Sequence, residues 1–182
     1  MKNKRTLYIV QTAVMLALLL AVQFFTRAFS TFVTGSLVNL ILLVSVFMIG
    51  LGGGLTIALI SNFCAFLMGV GPAFIQIVPF VAVGNAILVV IAWLVRNYIA
   101  QRDIKKKAVA TAGLVVASIA KMLFLWIGLV IIILPLIPGL KPAQISIIGS
   151  AFTWPQLVTA LTGSVLALII VPILKRAIKP TP

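Results

Sequence analysis

Acid is almost missing from this sequence: its 182 residues hold one acidic side chain, Asp103, and no histidine. Carriers driven by protons or sodium typically place Asp, Glu or His inside the membrane to bind or relay the ion. The apolar stretches of this chain contain none of the three. Sodium held by carbonyls and hydroxyls alone stays open. The same shortage excludes paired carboxylates, a Ser-His-Asp set and a metal cluster. No catalytic residue, metal site or cofactor is expected, and the chain does not read as an enzyme. The single cysteine, Cys64, excludes a framework disulfide and reads as a small core residue of an apolar stretch. A nucleotide loop is missing too. Gly50-Leu51-Gly52-Gly53-Gly54 lacks the following Lys and Ser/Thr that reach phosphate and magnesium, so it reads as a tight hairpin between two spans.

What is present is apolar. Hydrophobic residues make up 63% of the chain and charged ones 8%, with a mean hydropathy of +1.32, a composition of an integral membrane protein. A spanning helix needs roughly 20 apolar residues. Six stretches qualify: Ile9 to Thr26, Phe32 to Gly50, Leu55 to Val70, Ile77 to Val95, Val109 to Leu134 and Ile147 to Leu174, the last two long enough to tilt or break. None shows the dyad alternation of a lipid-facing barrel strand, so the expected fold is an all-α, six-helix membrane bundle forming one domain over residues 1–182. The first stretch exceeds the usual signal-peptide core of about 7 to 15 residues and is kept as a span.

Charge orients the bundle. Fourteen Lys and Arg give a net charge of +13. They gather at Lys2, Lys4 and Arg5, at Arg96, Arg102 and Lys105 to Lys107, and at Lys175, Arg176 and Lys179. The positive-inside rule places both termini and the middle loop in the cytoplasm, which six spans satisfy. Charges flanking membrane helices meet anionic headgroups, so no nucleic-acid partner is inferred. The middle loop reads as a topology anchor or as a contact for a partner.

Polar groups inside the spans are costly and therefore informative. Asn39, Asn62 and Asn85 each lie roughly eight residues from the expected outer surface, about 12 Å at the helical rise, and are placed to form one polar layer. Gln76, at the outer mouth of the fourth span, and Gln156 face the same half, with Trp154 and Pro155 beside the latter and Pro155 loosening the local ladder. Each Asn serves either as interhelical glue or as a solute contact. Together with Trp126 and Trp154, the amides suit a small, flat, polar solute in an outward-facing pocket. Lys121 sits near the middle of the fifth span without an acid partner. Its ammonium must meet carbonyls, amides, water, an anionic ligand or another chain, or snorkel to an interface. Arg27 reads as an interface anchor. The segment Leu134 to Gln144, with its prolines, and the bend at Gly69, Gly71 and Pro72 read as connectors or as lids over the pocket.

Ala13, Ala17 and Ala21 recur at i, i+4 and i+8 on the first helix and leave a shallow groove for another helix, inside the bundle or from a partner. A short six-span chain with cytoplasmic termini, no ATP motif, no coupling acid and this alanine repeat resembles the substrate-binding S component of energy-coupling factor (ECF) vitamin transporters. The resemblance implies that Ala13, Ala17 and Ala21 contact a transmembrane coupling subunit carrying two ATP-binding-cassette ATPases in a bacterial plasma membrane. It also implies an outer-half solute site and transport by toppling of the whole component. Thr34-Gly35-Ser36-Leu37-Val38-Asn39 and Pro79-Phe80 through Gly84-Asn85 resemble the branch assigned to hydroxymethylpyrimidine or pyridoxine-like rings. Pantothenate is the rival solute, because Lys121 can pair with its carboxylate. A self-sufficient channel and a purely structural membrane subunit are the alternatives from other classes.

Overall fold

A computed structural model describes residues 3–99, 101 and 103–178, so Lys2, Arg102 and Lys179 of the basic clusters lie outside the described residues. Within them the chain is helical, without a strand. The helices are α1 (Lys4–Thr26), α2 (Thr31–Met48), α3 (Leu51–Leu67), α4 (Val78–Leu94), α5 (Ile104–Phe124), α6 (Pro142–Ser150) and α7 (Trp154–Ile178). A 3-10 turn, Ile75–Ile77, leads into α4, and α5 widens into a π-helical stretch, Leu125–Ile133, that ends in a second 3-10 turn, Leu134–Leu136. Helix is the outcome because lipid offers no hydrogen bonds and each span must satisfy its own backbone.

Five helical stretches are long and apolar enough to cross a membrane: Lys4–Thr26, Thr31–Met48, Ile75–Leu94, Ile104–Leu136 and Pro142–Ala177. The sixth, Leu51–Leu67, has 17 residues, about 25 Å of helix against a hydrocarbon core of about 30 Å.

Several expected boundaries shift, each for a local reason. The hairpin after α2 takes up only Ile49 and Gly50, where Gly50 adopts φ 110°, a region that disfavours side chains. Gly52, Gly53 and Gly54 are therefore the first turn of α3 and not a loop. They let α3 approach its neighbours: a Cβ on Gly52 would meet the Tyr8 hydroxyl, and one on Gly54 the side chains of Val46 and Val89. Asp103 is not a free loop residue. It caps α5, its Oδ1 accepting the Lys105 backbone N–H at 2.8 Å, and so offsets the unfavourable meeting of Lys105 to Lys107 with the positive end of the helix. The expected last span breaks at residues 151–153 into α6 and α7. Pro155 thereby falls in the first turn of α7, where a missing N–H costs no helical bond, so it does not loosen the ladder as expected.

The tightest helix pair is α2 with α7. A Cβ on Gly163 would lie 2.7 Å from Asn39 Cβ and 2.9 Å from the Leu40 backbone N, and one on Gly35 would lie 2.9 Å from the Thr159 methyl. These reciprocal small residues bring the two backbones close. One apolar core, including Leu42, Leu43, Ile57, Leu88 and Leu114, fills the bundle where α2 ends and α3 begins. A smaller one, around Ile77, Leu125, Leu129, Leu134 and Ile137, packs the π-helical stretch against α4 and α6. The basic ends come together at one end of the bundle: Val10 and Val14 of α1 meet Met48 and Leu174 around one groove, while Lys107 of α5 and Arg176 of α7 border another.

Candidate functional site

At the opposite end, the C-terminal turn of α1, the N-terminal half of α2, the middle of α3 and α4, the last turn of α5 and the α6–α7 turn surround a cavity of about 390 Å3. Its floor is built around Lys121. The Lys121 side chain is buried, 2% exposed, and its Nζ donates to Asn39 Oδ1 at 2.6 Å and to Asn85 Oδ1 at 2.7 Å. An ammonium has three N–H donors, and among the described residues these two are its side-chain partners. The charge is thus held by two amide dipoles.

The ammonium dictates how the amides point. Asn39 and Asn85 both turn their oxygens toward Lys121, leaving their Nδ2 groups to donate outward: Asn39 to Thr159 Oγ1 at 3.3 Å and Asn85 to Asn62 Oδ1 at 3.4 Å. Asn62 Nδ2 donates to the Ala58 carbonyl at 2.7 Å, and Thr159 Oγ1 donates to the Gln156 carbonyl at 3.1 Å. Four helices and the Lys121 helix are tied into one network that an apolar environment strengthens. The arrangement presents amide and ammonium groups to a small polar molecule; with no carboxylate or imidazole in it, it offers no general base of ordinary pKa.

A family model described as "ECF transporter, substrate-specific component" matches residues 8–175. The chain belongs to this family. No curated protein and no solved structure matches it. An ECF substrate-specific component is a transport subunit, and its apolar helices make it a membrane protein.

In this ECF component, Asn39, Asn62, Asn85, Lys121 and Gln156 all line the cavity. Gln76, Trp126 and Trp154 do not. Gln76 is exposed in the 3-10 turn before α4, and the two indoles face outward, 42% and 62% exposed, with Trp154 resting on Phe32 at 5.5 Å between ring centres. The expected stacking surface from tryptophan is replaced by Phe29 and Phe152 at the cavity wall. The widened turn of α5 carries Trp126, and helix faces past such a widening cannot be projected from a regular period.

Of the two segments read as lids or connectors, Val70, Gly71 and Pro72 line the cavity and Leu134 to Gln144 does not; the α6–α7 turn, through Ala151 and Phe152, lines it instead. The sequence reading missed Gln23 and treated Arg27 as an anchor. Both line the cavity, and the Arg27 guanidinium lies 4.7 Å from the centre of the Phe24 ring. The signal that could have found Gln23 is a polar side chain inside the first apolar stretch. Ala13, Ala17 and Ala21 are all exposed, on the side of α1 turned away from α2 and α3, so the internal-packing use of the groove is not realised within the chain.

Proposed function

We propose that this ECF substrate-specific component binds a water-soluble vitamin or vitamin precursor, hydroxymethylpyrimidine or a pyridoxine-like ring, in the cavity above Lys121. The observation that carries this reading is the Lys121 ammonium held between the Asn39 and Asn85 oxygens at the wall of a cavity of about 390 Å3. That volume suits a small solute. A ring nitrogen or hydroxyl of the solute accepts from Lys121, Asn62 and Gln156 read its remaining polar edge, and Phe29 and Phe152 supply apolar surface. A second reading, pantothenate, draws on Lys121 and Arg27 together: two cations at the cavity without an acid among its lining residues favour a carboxylate.

In this reading the chain is a single membrane domain of six spans in a bacterial plasma membrane. The short α3 is accommodated by the bundle, the basic end lies in the cytoplasm, and the cavity opens outward. The exposed face bearing Ala13, Ala17 and Ala21 docks on a transmembrane coupling subunit, whose two ATP-binding-cassette ATPases hydrolyse the ATP, and the component topples to release its solute. The apolar core filling the cytoplasmic half supports a binding subunit over a self-sufficient channel.

Mass spectrometry of small molecules retained by the detergent-purified protein, followed by titration with hydroxymethylpyrimidine, pyridoxine and pantothenate, tests the proposal. Saturable binding of one of them is expected. Solute flux into liposomes by the chain alone, without any ATPase, would refute it in favour of a channel.

A further inference from the structure

Apart from the third donor of the Lys121 ammonium, the polar groups that line the cavity floor satisfy one another; a further group left over stands on the first helix. Gln23 Oε1 is buried and has no hydrogen-bond partner, although the residue lines the cavity. Amide oxygens cut off from water are rarely left unpaired, because desolvation is not repaid. Lipid is not the explanation: the oxygen is shielded on every side, the cavity included, so a solute meets it by a turn of the Gln23 amide toward the cavity that the residue lines. The packed face of α1 that leads to Gln23 runs through Thr12, Leu16 and Leu19. Spacings of four, three and four residues put these positions and Gln23 on one seam. Thr12 satisfies itself by donating to the Tyr8 carbonyl at 2.9 Å, and the next two positions are leucines. Gln23 is thus the one amide on that seam, placed where the seam reaches the cavity.

We infer that Gln23 is a specificity-determining solute contact, accepting a hydrogen bond from a hydroxyl or amino group of the bound molecule. This rests on the cavity being the solute site. The solute class is narrowed accordingly: it carries an acceptor toward the Lys121 ammonium and a donor toward α1. Gln23 also lies roughly 200° around the helix from Ala21. One helix therefore holds the solute on its inner face and the exposed alanine stripe on its outer face.

The test compares wild type with Gln23→Met, which keeps length and removes the acceptor, with Gln23→Glu, which keeps an acceptor, and with Lys121→Met. Each is titrated in detergent with hydroxymethylpyrimidine, pyridoxine and pantothenate, with thermal melting as the check on folding. Gln23→Met is expected to weaken the solute bound by wild type by about 10- to 100-fold, while Gln23→Glu stays within about tenfold of wild type. Unchanged affinity in Gln23→Met, with Lys121→Met impaired, overturns the role of Gln23 and leaves the cavity as the site. Unchanged affinity in both variants overturns the site as well. Lost binding of an uncharged solute by a folded Gln23→Glu also overturns the inference, since the acceptor is still there. Should Gln23→Met not fold, Gln23→Glu alone decides by that criterion. A wild type that binds none of the three solutes removes the proposed function and this inference with it.

Discussion

The two halves of the bundle use the same helices for opposite purposes. Toward the basic end, α2, α3, α4, α5 and α7 meet in an apolar core of Leu, Ile and Val that leaves no polar demand except self-satisfied hydroxyls such as Ser45, which donates to the Ile41 carbonyl at 2.7 Å. Toward the other end, the same helices present Asn39, Asn62, Asn85 and Lys121 to one another and to a cavity. Helix association in lipid gains little from apolar contact alone and more from close packing and interhelical hydrogen bonds. The apolar half therefore relies on small residues and fit, whereas the cavity half relies on a network anchored by one ammonium. An apolar half and a polar half on shared helices suit a solute-binding subunit: the packing of the first fixes where the second holds its groups.

The largest break in this comparison is expected outside both interiors. Replacing Ala13, Ala17 and Ala21 together by Leu should abolish association with a coupling subunit, read by copurification, while solute affinity stays within about twofold because the face is exposed. Intact assembly would count against the docking role. Next comes Lys121→Met, expected to lower solute affinity about 100-fold or more through loss of its charge-assisted bonds and disorder of the amides it orients. Calorimetric titration giving the wild-type affinity would remove Lys121 from the site. A smaller effect distinguishes the halves directly. Gly163→Val must push α7 from α2 at Asn39, costing about 1–3 kcal/mol of stability and weakening solute binding as well. Its counterpart in the apolar half, Ile57→Val, should cost about 1 kcal/mol by thermal melting and leave binding unchanged. Equal effects of the two on binding would show that the halves are not separate in function.

Much of this was readable in the sequence, and the reason is chemical. Asn39, Asn62, Asn85 and Lys121 stand out because a polar group in a continuously apolar run must have a partner or a task. Their meeting follows from equal depth on neighbouring spans. Rotation about each helix axis was not readable in the same way. Where nearly every face is apolar, no polar face marks which side turns inward, so Trp126 and Trp154 were placed toward the cavity and turn out to face away. Gln23 was overlooked for the same reason, in a helix whose inner seam is otherwise Thr and Leu. The length of the last span left room for a break, but its position at residues 151–153 was hidden because α6 and α7 join as one apolar run.

By itself the sequence determined that this chain is a helical membrane protein without a coupling acid or an ATP loop, because hydropathy, the scarcity of carboxylates and the missing Walker residues are properties of composition and order. It also determined that no acid in the spans answers Lys121, which left carbonyls, amides, water, an anionic ligand, another chain or an interface as its partners. Only the tertiary structure decided which amides answer it, that Gln23 and Arg27 join the cavity while Gln76 and the tryptophans do not, and that the alanine stripe remains uncovered. Those outcomes depend on how closely α2 and α7 pack at Gly35 and Gly163 and on where α5 widens, and both are set by contacts between helices, not by any helix alone.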